Sequence, residues 1–137
     1  MRSMLYYEVE ITRFLPTINS TRLVTESPAD VMAKIFPKDN EELFILIAAL
    51  SGGVDFGNFI IFLNKDRQCY VVLLEHSEIY PTAQFTIADP DVLIYFRDEA
   101  GEIFSVKQSN TLTMETAFAA LTYWLPEQKC LPSLDWD

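Results

Sequence analysis

His76 is the only histidine of the chain, and it stands in Leu74-Glu75-His76-Ser77-Glu78. A metal centre built on several histidines is therefore excluded, as is a relay of two; a mixed site from Glu75, His76 and Glu78 is the metal chemistry that remains. Alternation along a strand would put those three side chains on different faces, so a surface histidine at a strand end is the simpler reading. A cysteine nucleophile would need Cys69 or Cys130 beside that histidine, in an electropositive setting that lowers the thiol pKa. The surroundings are acidic instead, and Cys69 lies in an apolar run, where it reads as a small core residue. Two cysteines so placed suggest neither a disulfide framework nor a zinc site. Gly52, Gly53 and Gly57 surround Val54-Asp55-Phe56 without the Lys-Ser/Thr of a phosphate loop. They read as a helix stop followed by a turn. Carboxylates are too numerous for any pair to stand out as general acid and base. The expectation is a protein with no catalytic residue, no metal and no cofactor.

Charge carries more information than any single side chain. Twenty acidic residues against ten basic ones give a formal charge of -10. That balance opposes phosphate backbones and anionic lipid, so neither nucleic acid nor membrane is expected as a partner. Acidity also serves solubility alone. Its distribution is uneven, however: Glu75, Glu78, Asp89, Asp91, Asp98, Glu99 and Glu102 share their stretch with Arg97 as the only basic residue. The bland reading is solvated loops between strands. The functional one is an anionic face for a basic partner, with Tyr80 and Tyr95 as aromatic anchors. The residues expected to touch such a partner are Glu75, Glu78, Tyr80, Asp89, Asp91, Tyr95, Asp98 and Glu99.

The elements that position these residues follow from periodicity. At 137 residues, half of them hydrophobic, the chain fits a single domain spanning residues 1–137 with one core. Leu5 to Ile11 alternates apolar and polar, which predicts a half-buried strand at a sheet edge. Thr12 to Thr25 is polar and without strong periodicity. Ser27-Pro28 supplies an N-cap and a first-turn proline for a helix over Ala29 to Phe36, stopping before Pro37. Asp39 to Glu42 precedes the apolar run Leu43 to Leu50 and Ser51-Gly52-Gly53 follows it, which predicts a short buried helix; a strand is the competing reading of the same eight residues. Phe59–Leu63 and Cys69–Leu74, around the turn-rich Asn64–Arg67, form a hairpin whose strands are apolar on both faces and so need cover on both. A second hairpin joins Val92–Arg97 to Glu102–Lys107, with Arg97 opposite Glu102, and Gln84–Ala88 can add a strand. A last helix runs from about Thr113, with Glu115 in its first turn, until Pro126. The sum is an α+β domain: an antiparallel sheet of about five or six strands packed by about three helices. The longest apolar run is too short to span a bilayer and the first residues do not form an export signal, so a cytoplasmic protein is expected.

The closing helix, with Ala117, Ala120, Leu121 and Trp124, followed by Leu131-Pro132-Ser133-Leu134-Asp135-Trp136, resembles the C-terminus of the Imm1 group of bacterial immunity proteins. The order of parts before it agrees, from the central apolar strands through the Val92–Lys107 hairpin, so the resemblance covers residues 56 to 137. It implies a non-catalytic protein that binds and neutralises a cognate toxin domain, a nuclease or deaminase, in the cytosol of the producing cell. Trp136 reads as an anchor for the tail, with its N–H hydrogen-bonded. The alternative function is a small-ligand or regulatory domain with a pocket between sheet and helices. A third is an enzyme using Glu75, His76 or Asp89.

Overall fold

The structure, a computed structural model, describes residues 5–38, 40–74, 78–79, 81–82 and 92–136. In chain order the elements are β1 (Tyr6–Arg13), β2 (Asn19–Thr25), α1 (Pro28–Ile35), β3 (Leu43–Ser51), β4 (Val54–Leu63), β5 (Gln68–Leu74), β6 (Glu78–Ile79), β7 (Pro81–Thr82), β8 (Leu93–Arg97), β9 (Ile103–Lys107), β10 (Leu112–Thr113), α2 (Met114–Glu127) and β11 (Asp135–Trp136). Six strands run in the spatial order β10-β5-β4-β3-β1-β2, and β6 pairs with the far end of β5. Every pairing is antiparallel. Two small sheets, β8–β9 and β7–β11, complete the molecule. The α+β class holds; two helices rather than three are present among the described residues.

The alternation in β1 is as expected, with Tyr7, Val9 and Ile11 buried and Glu8 exposed. Its place is not the edge. β1 lies between β2 and β3, and the outer strand is the polar Asn19–Thr25, which sequence periodicity left as a connection. As an edge strand, β2 needs no apolar stripe of its own to be held.

The larger correction concerns Leu43–Leu50, which is the central strand β3 and not a helix. Paired with β1 on one side and β4 on the other, it sets Ile45 between Ile11 and Ile61, and Ile47 between Val9 and Phe59. The strand is apolar on both faces, although Leu46, Ala48 and Leu50 are only half-buried, which removes the alternation that would have identified it. The glycines read as a helix stop form the β3–β4 turn. Ser51 pairs with Val54, and Gly52 and Gly53 between them have φ of 57° and 81°. A two-residue turn matching strand twist requires positive φ at both positions, which glycine supplies without strain.

One face of the sheet is the main core. Val9, Ile11, Ile45, Ile47, Phe59, Ile61, Cys69, Val71 and Leu73 meet Val31 and Ile35 of α1 and Ala117, Leu121, Trp124 and Leu125 of α2. Trp124 packs its indole on Phe59 with ring centroids 5.5 Å apart. The Tyr7 hydroxyl donates to the Leu125 carbonyl, tying β1 to the end of α2, and burial raises its pKa above the usual phenol value. Cys69 is a core residue with its thiol pushed up to about 12 by burial. Both helices start on side-chain caps: Ser27 Oγ accepts from Asp30 N at 3.2 Å, and Thr113 Oγ1 from Thr116 N at 3.1 Å. Pro126 does not end α2. It sits in the last turn, and the stop is Gln128, in the left-handed conformation at φ 56°. Trp136 Nε1 donates to the Leu131 carbonyl at 3.0 Å, the anchor its position suggested.

Candidate partner-binding face

The β8–β9 hairpin covers the β4–β5 part of the opposite face of the sheet, and the β1–β2 part stays open. Phe62 of β4 and Tyr70 of β5 point to that side, where Phe104 meets Phe62 at 5.0 Å and Phe96 meets Tyr70 at 6.2 Å between ring centroids. Ile94 and Phe96 are buried there. Two polar ties add to the aromatic contact: Asn64 Nδ2 donates to the Tyr95 carbonyl at 3.3 Å, and Arg97 Nε to Glu42 at 3.0 Å. The expected pairing of Arg97 with Glu102 is one residue out of register. Arg97 stands opposite Ile103, because Asp98 to Glu102 closes the turn.

Strand alternation turns the other side of this hairpin outward. Leu93, Tyr95 and Ile103 are 47%, 59% and 61% exposed on it. The turn brings carboxylates to their edge. Asp98 Oδ1 accepts from Ala100 N at 2.9 Å and Glu102 N at 3.0 Å, so this residue first of all builds the turn. Glu99 and Glu102 are exposed around it. Gly101, at φ 83°, is required twice over, since a Cβ there would lie 2.8 Å from Ile18 Cδ1. The β1–β2 loop thus leans on the hairpin turn and adds exposed Leu15 and Ile18 to the same end of the molecule. Phe14, Leu15, Ile18, Glu42, Arg97 and Gly101 line a crevice of about 190 Å³ between them.

Of the eight residues expected to contact a partner, the structure brings Tyr95, Asp98 and Glu99 onto one hairpin. Glu75, Tyr80, Asp89 and Asp91 lie outside the described residues, as do His76 and Gln84–Ala88. Glu78 is described by its backbone alone, in β6 opposite Leu74. What the charge pattern missed is the apolar half of the face. Leu93 and Ile103 belong to the expected second hairpin, for which only the charged residues and Tyr95 were read as contacts. Leu15 and Ile18 lie in a segment without periodicity.

Among the described residues no group of three or more His, Cys, Asp and Glu is placed to hold a metal ion. The interface between sheet and helices is filled by side chains from both. Crevices open instead on outer surfaces, such as a groove lined by Glu8, Glu10, Arg22, Val24, Leu46 and Ala48 on the hairpin side of the sheet. No helix among the described residues is long and apolar enough to cross a membrane. No family model, no curated protein and no solved structure matches the chain.

Proposed function

We propose that this protein is an immunity-type inhibitor that binds a cognate toxin domain of the nuclease or deaminase class and occludes its basic active site. The observation that supports the reading is the outer face of the β8–β9 hairpin. There a Tyr95 anchor is flanked by exposed Leu93 and Ile103, with Asp98, Glu99 and Glu102 at the turn end and Lys107, opposite Leu93, at the other. An aromatic centre with acidic groups beside it is a pattern by which one protein desolvates and steers onto a basic groove. The chain's net charge of -10 extends the same attraction over a longer range. In this reading the protein works in the producing cell's cytosol and catalyses nothing.

Less supports a ligand pocket between sheet and helices, because apolar side chains fill that space. The deciding experiment is co-expression with the toxin domain encoded beside this protein. The wild type should restore growth and co-purify. Tyr95→Ala should weaken the complex by about tenfold or more. Glu99→Lys should slow association in a salt-dependent way. No rescue and no complex with the wild type would remove the immunity reading. Rescue that is indifferent to both substitutions would move the interface elsewhere.

A further inference from the structure

The two edges of the main sheet differ. On the outer side of β5, β10 pairs with Gln68 and Cys69 and β6 with Leu73 and Leu74, so both ends of that edge are taken up. At the other edge β2 pairs with β1 from Asn19 to Thr25 in unbroken register, and with nothing else among the described residues. It contains no proline and no bulge, devices that keep an exposed edge from pairing, and its one charged side chain, Arg22, is paired with Glu10 of β1 at 3.2 Å. Val24 is 64% exposed on it.

We propose that a second copy of this chain adds to β2 in antiparallel register with Leu23 on the two-fold axis, joining the two main sheets into one. The strand is self-complementary in that register. Leu23 meets Leu23, Thr21 meets Thr25, Arg22 meets Val24 and Ser20 meets Glu26. On the helix-covered face, half-buried Leu23 gains an apolar neighbour. Thr21 Oγ1, buried without a hydrogen-bond partner among the described residues, comes opposite a threonine hydroxyl. On the open face the stem of Arg22 covers Val24 of the second copy, and its guanidinium lies diagonal to Glu26 there. Other registers are poorer. Centring on Arg22 sets two guanidinium groups against each other, and centring on Val24 runs the pairing into Ser27 and Pro28, where α1 begins.

The long-range charge works against this dimer, since two copies repel each other. Salt screens that repulsion, so the dimer strengthens with ionic strength, whereas steering onto a basic partner weakens. The two surfaces use different residues, and each reading can fail without the other.

Sedimentation equilibrium of the full chain at low and high ionic strength tests the proposal. The wild type should show a reversible monomer–dimer equilibrium that shifts toward dimer with salt. Val24→Lys places an ammonium opposite Arg22 at two symmetry-related positions and should weaken the dimer about tenfold. Val24→Glu places a carboxylate there and should tighten it; its cost beside Glu8 is borne in monomer and dimer alike. Circular-dichroism melting confirms that both variants fold. A wild type that stays monomeric at every concentration overturns the proposal, as does a dimer that neither substitution moves.

Discussion

The two faces of the main sheet are built from the same strands and do different work. Beneath the helices, side chains from β1, β3, β4 and β5 are almost wholly buried; the Tyr7 hydroxyl there is bonded to the end of α2, while Trp124 Nε1 is buried with no hydrogen-bond partner among the described residues. Beneath the hairpin, the cover is a cluster of aromatic rings with two polar ties, and the hairpin's outer side exposes Leu93, Tyr95 and Ile103 beside Ser105 and Lys107. Close packing all round makes the first face the source of stability. Cover by one two-stranded element makes the second a removable layer, since a lone hairpin is marginal without the surface it rests on.

Substitutions can break this contrast. Trp124→Ala should cost about 3–5 kcal/mol in chemical denaturation and lower the melting of the whole chain, because it opens a cavity against Phe59. Phe104→Ala, on the hairpin side, should cost about 2 kcal/mol, since its ring is only half-buried. Amide exchange in that variant should quicken in β8 and β9 while β3 and β4 stay protected. If β3 exchanges equally fast, the hairpin is part of the core and the two-face description fails.

Alkaline pH probes the helix side alone. The folded state holds the Cys69 thiol protonated to about 12, against an ordinary value of 9.0, and burial shifts Tyr7 in the same direction. Unfolding therefore releases protons above the ordinary thiol pKa. The thiol's contribution is complete below pH 9.0 and is lost on the way to about 12. The fall should approach about 1 kcal/mol per pH unit per group in urea titrations. Cys69→Ala should flatten the first part of it. Smallest of the four is Gly101→Ala, at about 1 kcal/mol from the positive φ. Its signature is faster exchange in the β1–β2 loop as well as in the hairpin turn, because Ile18 must give way.

The same contrast explains what could be read from the chain in advance. β1, α1, both hairpins and α2 announce themselves, through alternation in β1, cap residues such as Ser27 and Thr113 in the helices, and the turn-rich segments Asn64–Arg67 and Asp98–Gly101 in the hairpins. β3 does not: Leu46, Ala48 and Leu50 are apolar although only half-buried, so Leu43–Leu50 shows no polar face and imitates a helix. β2 fails for the opposite reason, being held by backbone pairing more than by apolar side chains. At the candidate face, the charge pattern located Tyr95, Asp98 and Glu99. It overlooked Leu93 and Ile103, since exposed and buried apolar alternation look alike until one side of the hairpin is seen to be uncovered.

The packing of α2 has a consequence for the order of synthesis. Strands β1 to β5 can pair by hairpins as they leave the ribosome, yet their core face is closed largely by residues from Ala117 to Leu125. Until that segment is made, only α1 is present to cover the core face, and much of the nascent sheet's apolar surface stays open. Chaperone demand should therefore rise until the Met114–Glu127 segment has been made and fall once α2 docks, and a ribosome stalled before Thr113 would hold a chain prone to aggregate.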